Sequence, residues 1–376
     1  MKRVHATYCG CVTPLGNRPE ALWEALAAGR TAFAPVRRFP TDAYVNQLAA
    51  CLPELDDPAP ATRLETLLEL LSLPPRPLPQ DALLITASTK AGIDQVETLS
   101  RDQASNTEEV LPDILPRLLG RRLGLNGRAW NASAACASGT VALACAAAAI
   151  AAGDCACAVV CGADLVTEFV FSGFSALKAL SSGLCRPFDC HRDGLLLGEA
   201  AALIVLMNEE TMLRCGCESL GVVAGWGISC DAHHITAPSR EGEGLLRATR
   251  NALDAAGLVP EQVAGVVAHG TGTVFNDAME IEAFSRLFGR HRPPVVSVKG
   301  ALGHTMGACG VLEALLSLCA CRNAHLPPTA GLQDPEPAIA EQVAPRVQPL
   351  GEGCVLSSNS GFGGINAALV LARGDA

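Results

Sequence analysis

Apolar runs dense in Val, Ile and Leu alternate along the chain with amphipathic or Ala-rich segments. That alternation points to an α/β protein whose strands are buried on both faces. Strands are predicted at 82–87 (ALLITA), 156–161 (ACAVVC), 200–207 (AAALIVLM), 221–228, 263–268, 295–298, 354–357 and 367–372. An uncharged, Ala-rich stretch ending near Ala152 predicts a buried helix. Residues 53–79 are Pro-rich but interrupted at 61–73 (ATRLETLLELLSL), where the Leu spacing fits one short helix in a surface excursion. Both halves share one rhythm of strands and helices, with a change near 208–218, so a duplicated two-half domain is expected.

Composition narrows the function classes. Of 376 residues, 49% are apolar and 18% charged, which is ample for a large core and excludes disorder. The formal charge is −10, from 28 basic against 38 acidic residues, and this disfavours nucleic acid or an anionic membrane as partner. Residues 1–16 (MKRVHATYCGCVTPLG) lack the apolar core of a signal peptide, and the uncharged stretch 129–153 carries Asn131, Ser133, Ser138, Gly139 and Thr140. A cytoplasmic protein with no membrane span is therefore expected. Seventeen cysteines then read as reduced, packed side chains. Four C-x-C pairs recur (Cys9/Cys11, Cys155/Cys157, Cys215/Cys217, Cys319/Cys321), a spacing that puts both sulfurs on one face of a strand. Paired C-x₂₋₄-C knuckles are lacking, so packing is expected and no metal.

Reactive residues beside glycines mark four segments. Residues 131–140 (NASAACASGT) place Cys136 at the mouth of the Ala-rich helix, where unpaired N–H groups favour a thiolate. Residues 269–273 (HGTGT) and 299–310 (KGALGHTMGACG) each put a histidine, His269 and His304, just past a predicted strand, where α/β sheets gather their sites. Residues 359–366 (NSGFGGIN) hold glycines that let backbone amides approach a reacting oxygen. Each segment alone also reads as ordinary packing or turn chemistry.

Together they resemble the elongating β-ketoacyl-acyl-carrier-protein synthases of the thiolase superfamily. The similarity runs through VTPLG (12–16), AACASGT (134–140), GFSALKALSS (173–182), RPFDCHRDGLLLGE (186–199), HGTGT with Asn276 and Asp277, KGALGHTMGACG with Glu313, and NSGFGGIN. It implies a thiolase-like five-layer α/β/α/β/α fold of two pseudo-duplicated halves. Residues 1–210 would carry the nucleophilic cysteine and residues 211–376 both catalytic histidines. By the resemblance, Cys136 is the acyl-carrying nucleophile and His269, His304 and Lys299 are catalytic. Glu313 and Asp277 support the site, while Phe362 gates it and shares an oxyanion hole with the Cys136 amide. Thr271, Thr273 and Gly363 bind substrate. Asp193 and Glu199 are expected to brace loops and the dimer, and Phe171 and Phe174 either line an acyl tunnel or fill core.

The implied reaction is decarboxylative condensation of malonyl-carrier protein with an acyl chain held on Cys136, in fatty-acid or polyketide, including polyene, biosynthesis. It needs no cofactor beyond the carrier's phosphopantetheine. Implied partners are acyl carrier protein and a second subunit, in a homodimer or a heterodimer with a related ketosynthase-like chain. The alternative is a non-elongating, chain-length-factor-like partner, which the Cys-His-His set argues against. The chain is shorter than usual before Gln80 and around 182–186, and it has Gly361 and Leu195 where the family more often has Phe. For an acidic carrier, docking cations are expected at Arg37 and Arg38 or at Arg121, Arg122 and Arg128.

Overall fold

The computed structural model describes residues 2–57, 62–101, 105 and 107–374. Among these residues, the ten main strands are β1 (Val4–Val12), β2 (Leu83–Ala87), β3 (Ala129–Ala132), β4 (Cys157–Asp164), β5 (Ala200–Asn208), β6 (Gly221–Cys230), β7 (Val263–Val267), β8 (Val295–Val296), β9 (Cys354–Gly361) and β10 (Ile365–Ala372). They run side by side in the order β8-β7-β9-β10-β6-β1-β5-β4-β2-β3. Either side of the β6/β1 junction, five strands repeat one topology. In each half the second strand lies parallel between the third and fourth, and the fifth lies antiparallel between the fourth and first. The halves join through two antiparallel pairs, His5 with Val222 and Ala6 with Gly221.

The continuous apolar runs have a simple cause. In β5, Ala200, Ala202, Ile204 and Leu206 face one core, while Ala201, Leu203, Val205 and Met207 face another. In β10, Leu369 and Leu371 share the first of these, whereas Ala368, Val370 and Ala372 face a third. Side chains alternate across a strand, so a strand between two layers must be apolar at every position.

The shared core holds α3 (Ser138–Ala152) and α8 (Cys309–Asn323), which pack on each other and on strands of both halves. The outer layers are α1 (Arg63–Leu70) and α2 (Ile114–Leu123) on the first half, and α5 (Glu243–Ala256) and α6 (Val274–Phe288) on the second. Two further helices, α4 (Glu168–Ala176) and α7 (Lys299–Leu302), flank the site described below. The resulting sandwich has five layers.

Helix α1 corrects the sequence reading. A Thr62 and Glu65 capping box starts it. Its Leu64, Leu67 and Leu68 are fully buried against the first sheet, so this segment is an outer layer of the fold and no surface excursion. The cysteine pattern is corrected too. Only Cys9/Cys11 lie together in a main strand, since Cys319/Cys321 are on α8 and Cys215/Cys217 follow a short helix. The one helical stretch long and apolar enough to cross a bilayer among the described residues, Ala135–Ala152, is 67% buried inside the protein.

Helices α3 and α8 meet at glycines. A Cβ on Gly139 would lie 2.6 Å from the Val311 nitrogen, and one on Gly310 would lie 2.4 Å from the Thr140 nitrogen. Both obstacles are backbone, which cannot step aside. Gly310→Ala is therefore expected to destabilise by about 1–3 kcal/mol through overpacking. Thermal unfolding will show a lower midpoint if the crossing is as tight as this, and an unchanged midpoint would contradict it.

Candidate active site

Cys136 sits on a strained turn. Strand β3 leads into Ala135, a non-glycine residue at φ +48°, and then into Cys136 just before α3. Ser138 holds the bend by accepting from the Ala134 N–H at 2.8 Å and donating to the Ala135 carbonyl at 2.5 Å. A left-handed alanine costs of order 1–2 kcal/mol and marks a backbone fixed by its surroundings. The result aims Cys136 Sγ at His304 Nε2, 3.0 Å away, with the Phe362 N–H also donating to the sulfur.

His304 has a defined tautomer. The Met306 N–H donates to His304 Nδ1 at 3.2 Å, so in the neutral ring the proton is on Nε2, facing the sulfur. His269 stands beside it, the two rings 5.2 Å apart and nearly perpendicular. Its Nδ1 lies 3.0 Å from Asn359 Oδ1 and 3.2 Å from Lys299 Nζ. Asn359 is anchored in turn, donating from Nδ2 to Glu313 Oε2 at 2.7 Å. Lys299 donates to the His269 carbonyl at 2.6 Å and to Glu313 Oε1 at 2.5 Å. Lys299 and Glu313 thus lie behind His269 and act on the cavity through it.

The loop carrying His269 hangs from two carboxylates on α6. Asp277 accepts from the N–H groups of Thr271, Gly272 and Phe188, and Glu280 from those of His269 and Gly270. Spacing of three puts both carboxylates on one helix face. Burial, reinforced by the neighbouring Asp277 charge, pushes the Glu280 carboxyl up to about 8.

The electrostatics are those of a dry, neutral site. Burial pushes the Cys136 thiol up to about 11, against the pull of Lys299 and Lys90. Burial, with Lys299 adding to it, drives both histidines well below their ordinary value. Burial also opposes the charge on Lys299, but the Glu313 carboxylate outweighs it and holds the ammonium above its usual range. Two trios lie close enough to ligate an ion, Cys136/His269/His304 and His269/Cys309/Glu313. An ion on the second would compete with the Lys299 ammonium for Glu313.

A cavity of about 300 Å³ opens onto Cys136, His269 and His304. Thr271 and Thr273 line it, their hydroxyls 2.8 Å apart. Gly363 is not brought to it; its N–H donates to the Ile235 carbonyl. Phe174 lines the cavity with its ring 6.0 Å from that of Phe362, whereas Phe171 is fully buried against Phe39 and Tyr44. Asp193 is held by Ser181 and Ser182, and Glu199 accepts from the N–H groups of Leu52 and Val166.

Arg38 is not a docking cation. Its side chain is 1% exposed and paired with Glu199 at 2.7 Å and Asp56 at 3.1 Å. Arg37, Arg121, Arg122 and Arg128 are exposed, but none lines the cavity, and Arg121 borders a separate cleft beside β3. Among the described residues lining the cavity, Lys178 is the exposed cation, beside exposed Leu177, Val274 and Phe275. Sequence reasoning passed over Lys178, Glu280, Asn359 and Cys309, although all but Glu280 lie inside motifs it had singled out.

Residues 64–212 match the N-terminal domain of β-ketoacyl synthase, and residues 220–333 match its C-terminal domain. The chain is also 30% identical over 410 aligned positions to 3-oxoacyl-[acyl-carrier-protein] synthase 2 of Staphylococcus aureus, covering 100% of this chain and 99% of that one. The chain belongs to the β-ketoacyl synthase family. This synthase is likewise similar to a β-ketoacyl synthase from Burkholderia phymatum, with a TM-score of 0.88 and 31% identity over 99% of this chain and 100% of that one. The ishigamide ketosynthase/chain length factor gives a TM-score of 0.89 and 30% identity over 99% of each chain. Thiolase-like architecture and acyltransferase class follow from this membership. The alignment with the Staphylococcus relative is longer than the chain, so that relative carries segments this synthase lacks.

The raised thiol gives a pH prediction. With Cys136 near 11, the thiolate fraction climbs about tenfold per pH unit below that value. Iodoacetamide labelling of the Cys136 peptide, followed by mass spectrometry, is expected to accelerate steadily from pH 7 to 10. A plateau beginning at pH 7 would show a low-pKa thiolate instead.

Proposed function

We propose that this synthase performs decarboxylative condensation: an acyl chain is transferred from carrier-bound phosphopantetheine to Cys136, and malonyl-carrier protein then extends it. The observation that carries this reading is the Cys136–His304 contact at 3.0 Å with His269 beside it, at the bottom of one cavity.

The chemistry follows from the donors present. In the first half-reaction, Sγ attacks the thioester carbonyl while the amides of Phe362 and Cys136 receive the developing oxyanion, and the carrier's thiol leaves. The Nε2–H of His304 stabilises the developing Cys136 thiolate, and the proton Sγ gives up ends on the departing carrier thiolate, which leaves as the free thiol. In the second, malonyl thioester enters along Thr271 and Thr273 and loses CO₂. Its enolate oxygen is held by Nε2–H of His304 together with His269. The enolate carbon attacks the acyl-Cys136 carbonyl, and collapse of the tetrahedral adduct breaks the C–S bond to return the Cys136 thiolate, which takes up a proton from water to restore the resting thiol. A neutral imidazole suits this task at His304, since its Nε2–H donates to the oxyanion without placing a net charge on the ring in a dry site.

Phosphopantetheine on the carrier is the only prosthetic group this scheme uses. The partners are acyl carrier protein and a second ketosynthase-like subunit, identical or related, and the compartment is the cytoplasm. We place the division between nucleophile half and histidine half at residue 210. Carrier docking is assigned to the cavity rim, where Lys178 supplies charge and Leu177, Val274 and Phe275 supply apolar surface.

Incubating the purified protein with acyl- and malonyl-carrier protein separates this reading from a non-elongating partner: β-ketoacyl product without any added subunit is expected. Cys136→Ser is expected to lose the acyl adduct by intact mass, and His269→Ala and His304→Ala to lose CO₂ release more than acyl loading. A wild-type rate of adduct formation on the serine variant, or normal CO₂ release in both histidine variants, would remove these roles. Lys178→Glu is expected to raise KM for carrier-bound substrate severalfold while sparing a free pantetheine thioester. Equal kinetics with both would move the docking surface elsewhere.

A further inference from the structure

His304 performs its task only with its proton on Nε2, and that arrangement depends on one peptide. The Met306 N–H that occupies Nδ1 belongs to a non-glycine residue held at φ +51°. The main chain of His304 is fixed independently, its N–H donating to the Leu196 carbonyl at 2.7 Å and its carbonyl accepting from Gly198 at 3.1 Å. What sets the ring is therefore the strained turn that follows it.

That turn is gripped from the other half of the molecule. Asp164, the last residue of β4 and 1% exposed, accepts the Gly307 N–H on Oδ2 at 2.7 Å. Gly307 is the residue after Met306, so this bond clamps the peptide that keeps Met306 left-handed. The carboxylate accepts four further contacts: Ser88 Oγ at 2.6 Å, the Thr89 N–H at 3.2 Å on Oδ1 and 3.1 Å on Oδ2, and Thr89 Oγ1 at 2.9 Å. Every partner donates in this arrangement, so both oxygens act as acceptors and the donors favour the ionised form, against burial, which pushes the carboxyl up. The approach is too close for a side chain at 307, where a Cβ would meet Asp164 Oδ2 at 2.8 Å and Ser88 Cα at 3.1 Å. An ionised acceptor with several directed donors is a strong, rigid anchor.

We propose that Asp164 is a positioning residue for the condensing reaction: by clamping the Met306–Gly307 peptide it locks His304 as the Nε2–H tautomer aimed at Cys136. Without the clamp the left-handed turn relaxes, the Met306 N–H leaves Nδ1, and the imidazole is free to carry its proton there. The ring then turns a lone pair toward the sulfur and offers no donor to an enolate oxygen. The catalytic consequence rests on the condensation reading above, but the tautomer itself does not.

The test reads the tautomer directly. The eight histidines are labelled with ¹⁵N in their rings, and the His304 signals are assigned by their loss in His304→Gln. Long-range ¹H–¹⁵N spectra then tell Nε2–H from Nδ1–H. Wild type is expected to show Nε2–H alone. Asp164→Ala is expected to populate Nδ1–H and to lower kcat for malonyl decarboxylation 10- to 100-fold, with KM within twofold. Asp164→Asn, whose carbonyl can still accept from Gly307, should recover part of both effects. Ser88→Ala, which removes one donor but leaves the Gly307 bond, should keep the wild-type tautomer. Nδ1–H in the wild type, or pure Nε2–H in both Asp164 variants, overturns the proposal; should Asp164→Ala fail to fold, the wild-type and Asp164→Asn spectra decide it. A protein that follows the expected tautomers yet condenses nothing would leave the clamp standing and remove the functional reading.

Discussion

How near the two halves can come to one another is set where α3 crosses α8. Gly139 and Gly310 sit at the second position of their helices and let backbone meet backbone. Cys136 lies three residues before the first of these and His304 six before the second. A sulfur and an imidazole from opposite halves therefore arrive 3.0 Å apart only because nothing larger than hydrogen separates the helices. The same closeness makes the central layer dry, since it is filled by Ala, Val and Leu packed at the density of a protein interior.

Dryness governs the chemistry. Charged forms of isolated groups are disfavoured, and both histidines and Cys136 rest neutral. The fixed charges that do occur are paired or surrounded by donors: Lys299 with Glu313, and Asp164 with Ser88, Thr89 and Gly307. Each stands behind a histidine and outside the cavity lining. Around Cys136 the two imidazoles face the cavity, while Lys299, Glu313 and Asp164, the ions that orient them, face protein.

Much of this was legible in the chain. The eight apolar runs are all strands, because burial on both faces leaves an unbroken apolar signal. The two main strands that went unpredicted lack it: β1 is interrupted by His5, Thr7 and Gly10, and β3 is a four-residue edge, its Trp130 40% exposed. Cys136, His269 and His304 were visible through the glycine turns around them. Asp164 was not, for its partners lie 75 to 143 residues away and no local pattern marks a carboxylate as a clamp. Arg38 misled for the converse reason: a cation in a loop-like segment reads as solvated until its buried partner Glu199, 161 residues on, is placed beside it.

The repeated five-strand topology has a consequence for how such a chain can diverge. Two copies of one half-fold share a single seam, and at that seam each copy is the other's environment. A change in α3 has to be answered in α8, so drift there requires paired steps, whereas the outer helices and the rim loops face water on one side and can change alone. Lineages built on this plan would keep their reaction and vary their substrates, because the seam holds Cys136 beside His304 while the freely drifting surface borders the cavity mouth.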